Sequence, residues 1–159
     1  MSKYDDAMRQ LTGRFGKDTV ISLATVGQFP NAEGKSRPAV RNINSFYEDG
    51  AFYTVTYALS NKMRQIAENP EVAINVCFEW FTASGTGENL GWVRDEKNAE
   101  MMAKLRAAFA EWYGNGHTNE NDPNTCLLRI KLTNGVIIDH QKKYGEGRYE
   151  IDFVNKTAK

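Results

Sequence analysis

The sequence predicts a mainly β fold with flanking α structure: a small antiparallel barrel, open or split, of about six strands with two or three helices. Two observations carry this. Runs of β-branched and aromatic residues recur with a period of two, most clearly over 71–81 and again over 51–57 and 125–132. Short turn signals such as Glu48-Asp49-Gly50 and Asn134-Gly135 join neighbouring runs, where a parallel sheet needs long crossovers. At 159 residues the chain is expected to form a single domain, 1–159, with one core that needs no staples.

Taken in order, residues 5–15 set Met8, Leu11 and Phe15 at helical spacing behind an acidic start, a short amphipathic helix that Gly16 ends. Residues 19–26 read as a strand apolar on both faces and therefore central. The stretch 27–34, with Pro30 and two glycines, is a hairpin loop leading to a strand over 35–46. After the Glu48-Asp49-Gly50 turn, residues 51–57 return as a strand built almost wholly from aromatic and β-branched types. A helix over 61–69 follows, with Ser60 as N-cap and Pro70 as its stop.

The strongest alternation covers 71–81, with Val72, Ile74, Val76, Phe78 and Trp80 on one face and Ala73, Asn75, Cys77, Glu79 and Phe81 on the other. Residues 84–91 carry a Gly-x-Gly-x-x-x-Gly spacing, but no helix opens on these glycines, so a bulged strand or hairpin is expected and not a dinucleotide loop. The main helix spans 95–113, with Met102, Leu105, Phe109 and Trp112 on one stripe behind Asp95 and Glu96. A polar loop, 114–124, precedes a strand over 125–132. Asn134-Gly135 is expected to turn the chain into 136–140, and a final strand over 149–153 alternates Tyr149, Ile151 and Phe153 with charged neighbours.

Twenty Lys and Arg balance twenty Asp and Glu, giving zero formal net charge. That argues against a nucleic-acid partner and against a polybasic membrane anchor, both of which need a cationic face. The opening Met-Ser-Lys-Tyr-Asp-Asp carries no signal-peptide run, and no apolar stretch reaches the roughly 20 residues that span a bilayer, so a cytoplasmic location without a membrane partner is expected. Cys77 and Cys126 fit no metal-ligand or redox spacing and read as buried thiols; no metal site is expected.

The chemistry of the chain concentrates at the start of the helix over 61–69. A helix dipole favours acids in the first turn, yet Lys62 and Arg64 stand there with no acid, whereas the helix over 95–113 starts conventionally with Asp95 and Glu96. Two readings are open: solvated surface cations, or a site for an anion. A phosphate held by free N–H groups, the Ser60 hydroxyl and Lys62, with bidentate contacts from Arg37 and Arg41 on the paired strand, explains the placement. No nucleophile elbow occurs, and His117 and His140 read as a surface residue and a strand-end residue, so no catalytic acid or base is identified. An enzyme of this kind would rely on a bound cofactor.

Ser36-Arg37-Pro38 entering the second strand, Asp49-Gly50, the strand with Tyr53-Thr54, and Ser60-Asn61-Lys62 opening a helix that ends in Asn69-Pro70 together resemble the FMN-binding split β-barrel family. That family contains the pyridoxamine 5'-phosphate oxidases and the general stress protein type of flavin-binding proteins. The likeness spans roughly residues 15–140, and the order of the short motifs carries it. It implies that FMN phosphate is held by Arg37, Ser60 and Lys62, and that the flavin ring is met around Arg41, Asn42, Thr54 and Val55. It also implies a homodimer and an FMN-dependent oxidoreductase acting on a small, unidentified substrate. A flavin-binding storage or stress-sensing protein without turnover is the alternative, and family members using FAD, the deazaflavin F420 or haem widen the choice of cofactor. Two departures argue against vitamin B6 oxidation. Asn42 stands where those oxidases carry a lysine, and Arg148 is followed by Tyr149 and Glu150 in place of an Arg-x-His motif.

Overall fold

A computed structural model describes residues 1–141 and 147–159. Its strands are β1 (Thr19–Val26), β2 (Pro38–Glu48), β3 (Ala51–Tyr57), β4 (Glu71–Val76), β5 (Phe81–Trp92), β6 (Thr125–Ile138), β7 (Arg148–Asp152) and β8 (Thr157–Ala158). All pairings are antiparallel, in the order β3-β2-β1-β4-β5-β6-β7-β8. An additional β3–β6 ladder closes the first six strands into a barrel, with β7 and β8 extending the sheet beyond β6. The closure is incomplete at one seam. β2 pairs with β1 from Pro38 to Ser45, but with β3 only at 46–48 opposite 51–53. From Ser45 and Thr54 onward the two strands part, which is the split that the sequence leads one to expect.

The barrel interior is a single apolar cluster to which every barrel strand contributes alternate residues, among them Ile21, Leu23, Phe52, Ile74, Phe81, Leu128 and Ile130. Helix α1 (Lys3–Phe15) adds Ala7, Leu11 and Phe15, and α2 (Asn61–Glu68) adds Met63 and Ile66. Phe15 lies between Phe52 and Phe81, with ring centroids 6.1 and 5.5 Å away. A smaller cluster sits outside the barrel, where Met102 and Leu105 of α3 (Ala99–Ala108), with Phe109, cover Leu127 and Val93. No helix among the described residues is long and apolar enough to cross a membrane.

Several expected elements are changed, each for a local reason. Helix α1 begins earlier because Ser2 and Asp5 form a capping box, the Asp5 N–H donating to Ser2 Oγ and the Ser2 N–H to Asp5 Oδ2, both at 3.0 Å. The main helix is shorter than 95–113: a 3-10 turn over Glu96–Asn98 precedes α3, which stops at Ala108 while Phe109 and Trp112 continue in turns. Strand β1 is central in its pairing but apolar-buried on one face only, and Val20 on the other face is 54% exposed.

The largest correction concerns 71–81. The strand ends at Val76, residues 77–80 turn, and Phe81 pairs back with Val76. Phe78 and Trp80 take positive φ, 60° and 55°, and both are exposed, while Phe81 is buried. Cys77, expected inside, is exposed because it opens this turn; Cys126 is buried as expected. Nothing in the alternation reveals the turn, since aromatic residues at left-handed φ are rare and no glycine or proline marks it.

The second correction is Asn134-Gly135, which does not turn. β6 runs straight through it, with Gly135 opposite Ala83 on one side and Ile151 on the other. A Cβ at Gly135 would come within 3.0 Å of both Ala83 Cβ and Thr82 O, so the glycine serves close strand approach. By contrast Asp49 and Gly50, at φ 46° and 83°, form the tight β2–β3 turn as expected.

Candidate functional site

The site is built where β2 and β3 part and where the chain leaves β3 for α2. Alternation puts Arg41 on the inner face of β2, opposite Leu23 of β1. Its guanidinium reaches along the barrel mouth: Nη1 donates to Thr25 Oγ1 at 2.6 Å and to Leu23 O at 3.3 Å, and Nη2 donates to Gln65 Oε1 of α2 at 2.8 Å. Thr25 Oγ1 donates in turn to the same Gln65 oxygen at 2.5 Å. Arg41 is thus tied between two strands and a helix, and every partner is neutral.

Helix α2 presents the second cation. Ser60 occupies the N-cap position, as expected, but makes no capping bond, and its Oγ is buried with no hydrogen-bond partner. The first turn of α2 holds no acid. Lys62 is half-buried, and no ion pair of its ammonium occurs among the described residues. Burial, and then the nearby positive charge of Arg41, hold its pKa below the ordinary value, while Cys126 on the facing strand acts weakly the other way. Burial also lowers Arg41 from its ordinary value, and it pushes the Cys126 thiol up to about 11. Two partly desolvated, interacting cations thus stand at a helix start that also holds a buried hydroxyl without a partner and no acid in its first turn. That arrangement is chemically suited to a phosphate.

The other predicted residues distribute around the split. Arg37 is exposed just before β2, and its carbonyl accepts from Gly27 N–H at 2.6 Å. Thr54 is buried on the inner face of β3. Asn42 and Val55 lie on the outer faces: Asn42 Oδ1 accepts from Ser22 Oγ at 2.8 Å, and Val55 packs against the α3 cluster. The structure therefore sets Arg41 within electrostatic reach of Lys62, with Ser60 at the N-cap of the same helix, and sets Asn42 and Val55 on the opposite side of their strands.

Gln65 and Thr25 were not singled out by the sequence. Gln65 carries a readable signal, since it lies three residues after Lys62 and so on the same helix face. Thr25 carries none, because its link to Arg41 depends on strand register. His117 lines an outer groove of about 310 Å3 with Tyr57, Asn119 and Asp122. The His140 ring meets the edge of Trp80 at 4.6 Å, beside a cavity of about 660 Å3 between α1 and the end of β6. That larger cavity is remote from the cations. Its lining holds more acids (Asp6, Glu79, Asp139) than arginines (Arg9, Arg14), Arg14 already bonds to Glu79, and it is the less suitable place for an anion. No group of three or more His, Cys, Asp or Glu side chains among the described residues could hold a metal ion.

The fold recurs among solved structures. General stress protein 26 from Bacillus anthracis str. Sterne superposes with a TM-score of 0.58 at 19% identity, over 81% of this chain and 91% of that one. A pyridoxamine 5'-phosphate oxidase-related, FMN binding protein from Nostoc punctiforme PCC 73102 gives 0.55 at 18% identity, over 100% and 95%. A heme binding protein from Mycobacterium smegmatis gives 0.62 at 14% identity, over 98% of this chain and 60% of that one. At such identities the likeness is one of fold. Comparison with curated proteins gives no match. The family described as pyridoxamine 5'-phosphate oxidase matches residues 5–137, and the chain belongs to that family.

Proposed function

We propose that the protein binds FMN and works as an oxidoreductase on a small substrate other than a B6 vitamer. The observation that supports this most is the Arg41–Ser60–Lys62 cluster, in which two half-buried cations and an unpartnered buried hydroxyl have no acid to satisfy them. Lys62 and Ser60 would hold the phosphate with the first-turn N–H groups of α2, Arg37 would close over it from its exposed position, and Thr54 would line the inner wall toward the ring. The flavin, when bound, supplies the electron transfer. The chain's own task is to hold it at the split, where β2 and β3 no longer cover each other.

The visible absorption spectrum of the purified protein tests the cofactor. Flavin bands are expected; a haem or deazaflavin spectrum, or a colourless protein that FMN does not colour, would replace this reading. Anaerobic mixing with NADH or NADPH, followed by a series of electron acceptors, tests turnover. Repeated cycles of reduction and reoxidation are expected, and bound flavin that stays inert would assign the protein to storage or sensing.

We further propose that two copies pair. Val20 and Val40, 54% and 70% exposed, stand on the outer faces of the adjacent strands β1 and β2, and symmetric pairing is the common way to cover such a surface. Light scattering with FMN present is expected to give twice the 18.0 kDa of one chain; a single-chain mass at micromolar concentration would exclude the dimer.

A further inference from the structure

An arginine can only donate, so the Gln65 atom that faces Arg41 is necessarily the amide oxygen, and this one oxygen receives both Arg41 and Thr25. A glutamate at the same position would accept the same two bonds and would pair with the guanidinium more strongly. The chain places a glutamine there. The consequence is an arginine that is fixed in position but not neutralised: its acceptors are Leu23 O, Thr25 Oγ1 and Gln65 Oε1, and none carries charge. Gln65 also lies three residues beyond Lys62, so it stands on the helix face that carries the second cation.

We propose that Gln65 is the specificity-determining residue of this site: by holding Arg41 through a neutral oxygen beside Lys62, it keeps the mouth doubly cationic and so selects a phosphate dianion over a neutral ligand of the same shape. Gln65 is a positioning residue that acts through Arg41, and Arg41 in turn supplies field where the sequence suggested a direct bidentate contact. The inference rests on the phosphate reading of the site. The charges that act on Lys62 agree with it, since after burial they come from Arg41 on β2 and Cys126 on β6 and from no carboxylate.

The test is Gln65→Glu, which keeps both hydrogen bonds and changes only the charge, with Gln65→Leu as a second variant that removes the acceptor and leaves Arg41 charged. FMN and riboflavin are titrated into each protein, and the Lys62 ammonium is titrated by NMR in the flavin-free proteins. Gln65→Glu is expected to weaken FMN by roughly tenfold, to leave riboflavin unchanged, and to raise the Lys62 pKa. Gln65→Leu is expected to weaken FMN by release of Arg41, without raising the Lys62 pKa. If the wild type prefers FMN and Gln65→Glu keeps the same preference, or if the Lys62 pKa does not move, this inference is overturned while the phosphate reading stands. Equal affinity of the wild type for FMN and riboflavin overturns both.

Discussion

Lys62→Ala is expected to weaken FMN binding by about 10- to 150-fold and to leave riboflavin binding unchanged. The loss is that of one charge-assisted hydrogen bond to phosphate, roughly 1.5–3 kcal/mol. The unliganded protein should respond in the opposite direction. Lys62 stands at the start of α2 beside Arg41 with no acid in that turn, so its removal is expected to stabilise the flavin-free fold by about 0.3–1 kcal/mol at low salt. The sign can be followed with pH. Burial and Arg41 depress the folded-state pKa below the ordinary 10.5, so the unfolded chain binds the proton more tightly. The penalty is complete below the folded pKa and is relieved as pH rises toward 10.5, and the advantage of the variant should shrink over the same window. General damage to the fold cannot weaken a ligand and strengthen the free protein together. Equal FMN affinities in the two proteins would remove Lys62 from the site.

Phe81→Ala is expected to cost about 3–5 kcal/mol and to lower Tm by roughly 6–20 °C. The ring is fully buried against Phe15 at 5.5 Å and Phe52 at 6.3 Å, and its removal leaves a cavity between strand and helix. Phe78→Gly, three residues earlier, is expected to be neutral or to stabilise by up to about 1 kcal/mol. Phe78 is 91% exposed at φ 60°, a conformation glycine adopts without steric cost. Thermal unfolding of the two variants decides the local structure. A continuous strand over 71–81 would set Phe78 on the same face as Val76 and reverse the two results.

What was legible in the sequence followed from local chemistry. β3 could be bounded to the residue because Asp49-Gly50 precedes it and all its residues after Ala51 are aromatic or β-branched. The N-cap position of Ser60 and the absence of acids after it could be read in the same way. Errors arose where long-range contact outweighs local signal. Asn134-Gly135 has turn chemistry, yet Ala83 and Ile151 on either side hold it in the sheet. Phe78 and Trp80 have strand chemistry, yet the hairpin that returns Phe81 to Val76 places them in a turn. In the site, Arg41 was visible as a cation, but its binding to Thr25 and Gln65 depends on register and helix placement, which no spacing encodes. Asn42 and Val55 share a sequence neighbourhood with Arg41 and Thr54 and, by the period of two, necessarily face away from them.

β6 holds the barrel in another sense as well. It bonds to β3, β5 and β7, so the ring is sealed only by a strand more than 65 residues along the chain from the β3 edge it meets. A ribosome delivers β3 and β5 before their shared partner exists, and during that interval both present open backbone edges. Closure must await a distant segment and carries the entropic cost of a long loop, which makes the last step of folding slow relative to the hairpins. The same dependence concentrates vulnerability: damage to β6 releases three ladders at once, whereas damage to β1 or β4 leaves the β3–β6 seal to be formed by other strands.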